Sequence, residues 1–125
     1  MLLNEILVRI RREFGALTDK FEVYDLPLAT IPKDKTAGAA NPGVYVYLSD
    51  DGVVKVGRHL TNSRKRAYEH IGANTGGTMK ALLEDPSVRI ALFNVASVAD
   101  LHWVCALEVF LERNLSPAIR SARLG

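Results

Sequence analysis

Two short runs rich in β-branched and aromatic residues, 43–48 (GVYVYL) and 53–58 (VVKVGR), stand on either side of Ser49-Asp50-Asp51-Gly52. Valine and tyrosine pack well on a pleated surface and Asp-Gly favours a tight reversal, so the segment reads as a β-hairpin. A three-residue loop of Asp50, Asp51 and Gly52 is the best fit, with Gly52 in the left-handed conformation that closes a type I turn with a G1 bulge. It sets Tyr47 opposite Lys55 and Tyr45 opposite Gly57. Because side chains alternate across a strand, both tyrosines and Lys55 then share one face, and Gly57 leaves Tyr45 uncovered. A two-residue loop would shift the pairing by one residue and send Lys55 to the other face.

Other elements fall around this hairpin. In residues 4–14, Ile6, Leu7, Ile10 and Phe14, with Leu3 just before, form one apolar stripe, which predicts an amphipathic helix with Asn4 as N-cap and Gly15 as its stop. Phe21–Tyr24 reads as a short extended segment, and the turn-rich stretch from Pro27 to Pro42 as a surface wrap. After the hairpin, Thr61, Asn62 or Ser63 caps a helix running to about Ile71, which puts Arg66 and His70 on one side, four residues apart. Thr78 caps a short helix to about Glu84. Residues 88–95 (VRIALFNV) are apolar on both faces, as in an interior strand. The final helix, from about Asp100 to Asn114, buries Leu101, Val104, Leu107, Phe110 and Leu111. Glu108 lies at the edge of that stripe, where an ordinary surface acid is out of place.

At 125 residues the chain is sized for one domain. No run approaches the roughly 18 apolar residues of a membrane span, and the region of Asn4 and Glu5 lacks the basic and apolar stretches of a secretion signal, so a cytoplasmic protein with no membrane contact is expected. Cys105 is the only cysteine, which excludes an internal disulfide, a zinc ribbon and a thiol redox pair, and reads as packing in an apolar helix. Net charge is +2, but residues 55–70 hold five Lys or Arg against one acid, Glu69. Such a patch suits a phosphate backbone or simply a solvated helix face.

Taken in order, Gly43-Val44-Tyr45, Lys55-Val56-Gly57, Arg66 with His70, and Glu108 resemble the motifs of the GIY-YIG nuclease superfamily. Pro117, nine residues after Glu108, also falls at that family's spacing. Two positions depart from the pattern. Lys55 stands where the second tyrosine is usual, and Arg120 where an asparagine is usual. The resemblance implies an α+β fold in which a three-stranded antiparallel sheet is flanked by helices (ββααβα), here with an extra N-terminal helix. The nuclease-like unit is residues 42–125, preceded at 1–41 by the amphipathic helix and wrapping segment.

The resemblance further implies a metal-dependent endonuclease acting on nucleic acid, DNA in the first instance. Glu108 would bind one Mg²⁺ or Mn²⁺, since a hard cation prefers a carboxylate and otherwise keeps water. Tyr45 would orient or deprotonate the attacking water, beside Lys55, whose charge lowers a phenol's pKa. Arg66 would clamp phosphate oxygens and His70 would accept a proton or a hydrogen bond. Arg58, Arg64, Lys65 and Arg120 are the candidate nucleic-acid contacts. Read from the residues alone, Glu108 is equally the partner of an arginine in a structural ion pair, and Glu112, one turn later, is the rival metal ligand. Two other functions stay open: a catalytically inactive nucleic-acid or protein binding module on the same fold, and an interaction protein that forms a homodimer through the helix at 4–14. His59, His102 and Trp103 carry no assignment.

Overall fold

The computed structural model describes residues 2–33, 38–65 and 84–121. Helix α1 (Leu3–Phe14) buries Ile6 and Ile10, with Leu3, Leu7 and Phe14 packed beside them. It starts ahead of the expected Asn4 cap: Glu5 accepts a hydrogen bond from the Leu2 backbone N–H at 3.5 Å, and Asn4 lies inside the first turn. Gly15 ends it at φ +56°, a conformation open to glycine at little steric cost.

Four antiparallel strands follow: β1 (Phe21–Pro27), β2 (Gly43–Ser49), β3 (Gly52–His59) and β4 (Arg89–Val95), in the order β1-β4-β2-β3. The expected sheet of three is thus extended by β1, which pairs with β4 along its whole length from Phe21↔Val95 to Pro27↔Arg89. This fourth strand makes β4 an interior strand and accounts for its burial on both faces. At an edge, β1 tolerates what an interior strand does not: Glu22, Asp25 and a terminal proline without an N–H. Helix α1 and strand β1 therefore share core and sheet with the elements that follow.

The hairpin reaches the expected register by an unexpected route. Ser49 pairs with Gly52 across a two-residue turn, Asp50-Asp51, and Leu48 pairs with Val53. A bulge then inserts Val54, after which Tyr47 faces Lys55 and Tyr45 faces Gly57. Gly52 has φ +127°, beyond the left-handed α value of the expected turn. The extra residue restores the frame that a two-residue loop alone would have shifted.

Helix α2 (Leu101–Asn114) and α1 cover the same face of the sheet. There Val104, Leu107 and Leu111 of α2 and Ile6 and Ile10 of α1 meet Val44, Val46, Val56, Ala91, Phe93 and Val95. The other face carries Tyr45, Tyr47, Ile90 and Leu92 and is closed by Leu28, Ile31, Ala39 and Val88. After α2 the chain turns back along the outer edge of β3. Ala118 N–H donates to Val53 O at 3.1 Å and Ile119 N–H to Val54 O at 2.8 Å. The helix expected at Thr78, and the run of its predecessor from Arg66 onward, lie outside the described residues.

Candidate active site

Each glycine flanking Tyr45 has a steric reason to be glycine. A Cβ on Gly57 would sit 2.5 Å from the Tyr45 ring, which lies across that position. A Cβ on Gly43 would collide with the Asn94 side chain. Tyr45, 2% exposed, stacks edge-to-face on Tyr47 with ring centroids 5.7 Å apart. Asn94 is itself buried and fully used. Its Nδ2 donates to Gly38 O at 2.9 Å and Ala39 O at 3.0 Å, while its Oδ1 accepts from Ser63 Oγ at 2.7 Å. That network ties the turn before β2, strand β4 and the residues after β3 into one rigid piece.

The segment after β3 is shaped by a residue that the sequence left unassigned. His59 Nδ1 accepts hydrogen bonds from the backbone N–H groups of Thr61 (3.1 Å) and Asn62 (2.8 Å), so Nδ1 is the unprotonated nitrogen. Of the three expected caps, Asn62 is the one used: its Oδ1 accepts from Lys65 N–H at 2.9 Å, opening a helical turn at Ser63. Arg64 is half-buried and Lys65 exposed on that turn. Arg66 and His70 lie outside the described residues.

On α2, Glu108 and Glu112 are one turn apart and both are buried, at 5% and 2% exposure. Glu108 Oε1 accepts from Arg58 Nη1 of β3 at 2.5 Å, the only donor to this carboxylate among the described residues. Glu112 Oε1 accepts from Ser121 N–H at 3.3 Å. Its Oε2 lies 3.1 Å from Arg120 Nε, within ion-pair range but without an N–H aimed at it, so this buried oxygen has charge compensation and no hydrogen bond. Thus Arg58 and Arg120, two of the candidate nucleic-acid contacts, each face a buried carboxylate.

Lys55 belongs to the tyrosine face of β3. The register puts it across from Tyr47, and it is 6% exposed. Burial pushes its pKa below the ordinary lysine value, while the charges of Glu112 and Glu108 pull it back up. No ion-pair contact shorter than 4 Å reaches it among the described residues, so its coupling to the carboxylates is through space.

As a metal site, this arrangement offers one carboxylate with its second oxygen, Glu108 Oε2, not taken by a hydrogen bond. Among the described residues no group of three His, Cys, Asp or Glu converges to form a protein cage. One carboxylate can hold a hard cation that keeps most of its water, and Glu108 already pairs with one cation, the Arg58 guanidinium on Oε1. The chain matches no protein-family model, no curated protein and no solved structure. No helix among the described residues is long and apolar enough to cross a membrane.

Proposed function

We propose that this chain hydrolyses nucleic-acid phosphodiesters with the help of one divalent cation, Mg²⁺ or Mn²⁺, in the manner of a GIY-YIG endonuclease. The observation that carries this reading is the place of Lys55: it pairs across the hairpin with Tyr47, two residues along β2 from Tyr45, and so shares the sheet face of both tyrosines. Tyr45 and Lys55 share one face of the hairpin and Glu108 meets β3 through Arg58 from the α2 side, so groups of the types that phosphodiester hydrolysis requires lie on either side of β3. Glu108 would hold the cation, which supplies positive charge for the oxygens of the phosphorane. Tyr45 would orient or deprotonate the attacking water, and Lys55 would stabilise the phenolate and the developing negative charge. Arg66 and His70 keep the phosphate-clamping and proton-accepting roles that the resemblance implies. Arg64 and Lys65 would contact the nucleic-acid backbone.

Cleavage of plasmid and branched DNA with Mg²⁺ or Mn²⁺ tests this directly. Glu108→Gln keeps the size of the side chain and removes the charge that a hard cation needs, so cleavage should fall by about 10²–10³-fold while DNA binding persists. Glu112→Gln is the matched control. It retains an acceptor for Ser121 N–H and should lower Tm without abolishing cleavage by the folded protein. If Glu112→Gln removes cleavage and Glu108→Gln spares it, the roles are exchanged by one helical turn. The binding-module alternative draws on the Arg58–Glu108 pair, in which the candidate ligand is already neutralised. Salt-sensitive DNA binding without cleavage by the wild type would favour it.

A further inference from the structure

We propose that Arg58 is the counter-cation that a divalent metal must displace from Glu108, so that this ion pair couples metal binding to the binding of a phosphodiester. The inference rests on the nuclease reading above. Arg58 and Glu108 are 50 residues apart in sequence and meet where β3 passes under α2, with the guanidinium mostly buried and the carboxylate almost wholly so. Sheltered from water, their attraction is stronger than that of a surface pair, and neither charge can be left without compensation cheaply. A cation arriving at the same carboxylate is therefore opposed twice: it must weaken an existing pair, and it must approach a guanidinium of like charge.

The surroundings sharpen the competition. Arg58 and Arg120 already balance the two carboxylates of Glu108 and Glu112, so a dication enters a site with no uncompensated negative charge. A phosphodiester changes that balance. It adds negative charge and gives Arg58 a second acceptor, for which the planar guanidinium is well suited. Metal and nucleic acid then assist each other, and by linkage the assistance is equal in both directions. On this account Arg58 is a positioning residue for the cation, and the protein holds metal poorly until its substrate is present.

The test is Mn²⁺ binding, followed by electron paramagnetic resonance or calorimetry at pH 8, well above the ordinary carboxylate range. Wild type, Arg58→Gln and Arg58→Gln/Glu108→Gln are compared with and without a duplex carrying a non-hydrolysable phosphodiester. Wild type should bind Mn²⁺ at least about tenfold more tightly with the duplex than without it. Arg58→Gln should bind Mn²⁺ alone about as tightly as wild type does with duplex, and the double variant should lose that binding. Equal, Glu108-dependent Mn²⁺ affinity in wild type and Arg58→Gln would overturn the coupling and leave the nuclease reading intact. Absence of Mn²⁺ binding in every protein, with and without duplex, would overturn both. A measurement in the wild type does not depend on the variant folding: the Arg58 side-chain Nε–H resonance should shift when Mg²⁺ and duplex are added together, and an unmoved resonance would also refute the displacement.

Discussion

The two faces of the sheet are cut from the same four strands and filled with different chemistry. One is aliphatic, with Val44, Val46, Val56, Ala91 and Val95 locked under α1 and α2. The other holds the ring pair Tyr45–Tyr47, is closed by Leu28 and Ile31 of a short 3-10 helix (Leu28–Lys33), and has Lys55 at its edge strand. Helices cover a face in repeating turns, so their side chains interdigitate with strand side chains over a long contact. A 3-10 helix of this length makes a shorter contact, and it is this side of the sheet that buries the polar groups of Tyr45, Tyr47 and Lys55. The difference teaches that aliphatic packing and polar groups are divided between the faces: Tyr45 and Lys55 belong to one, while α2 brings both Leu107 and Glu108 to the other.

Three tests probe that division. The largest effect is expected from a matched pair. Tyr45→Phe should lower cleavage by about 10²–10⁴-fold with little change in Tm, because it removes a hydroxyl and keeps the ring. Leu107→Ala, beneath α2, should cost about 2–5 kcal/mol in denaturant melts, while the folded fraction keeps its turnover. The division breaks if Leu107→Ala slows turnover as much as Tyr45→Phe does.

An intermediate effect is expected at Gly57. Alanine there would press on the Tyr45 ring, which must shift, at a cost of about 1–3 kcal/mol. Cleavage should fall further than the loss of folded protein explains, and Tyr45→Phe/Gly57→Ala should show far less than the product of the two single losses in activity. Multiplicative losses would mean that Gly57 acts independently of the ring.

The smallest effect concerns Lys55 and pH. Burial holds its pKa below 10.5 in the folded protein. Between the folded value and 10.5 the unfolded chain carries a proton that the folded chain has released, so folding stability gains from this group as pH rises through that window. The Tm difference between wild type and Lys55→Met should therefore move in favour of the wild type on going from pH 7 toward pH 10. A difference independent of pH would mean that Lys55 is as well solvated folded as unfolded.

Much of the fold was legible because it is written in local alternation. The register of Tyr45 and Lys55 was expected from a three-residue turn; the turn has two residues, and a bulge at Val54, which no turn preference foretells, restores the frame. Strand β1 was half visible as Phe21–Tyr24. Its polar positions and Pro27 hid the remainder, because an edge strand answers to only one neighbour. The apolar stripe of α1 was read correctly: Ile6 and Ile10 are spent on the chain's own core, while Leu2 and Val8 are exposed. The burial of Glu108 was anticipated from its place beside the stripe of α2. Its pairing with Arg58 and that of Glu112 with Arg120 were not singled out, since partners brought together by packing of distant elements have no signature in sequence spacing. Asn94 and His59 escaped for the same reason: each works by holding backbone groups that only the fold brings within reach.

The return of the chain along β3 bears on how the protein behaves in a crowd. With Ala118 and Ile119 bonded to its backbone carbonyls, β3 is not an open template onto which another extended chain can grow. The opposite margin, β1, carries Glu22, Asp25 and Pro27, two like charges and a residue with no N–H to offer. One rim is sealed by the chain itself and the other is made inhospitable by composition, so the sheet stops at four strands, and loosening the residues after α2 would reopen the side from which fibrous self-assembly starts.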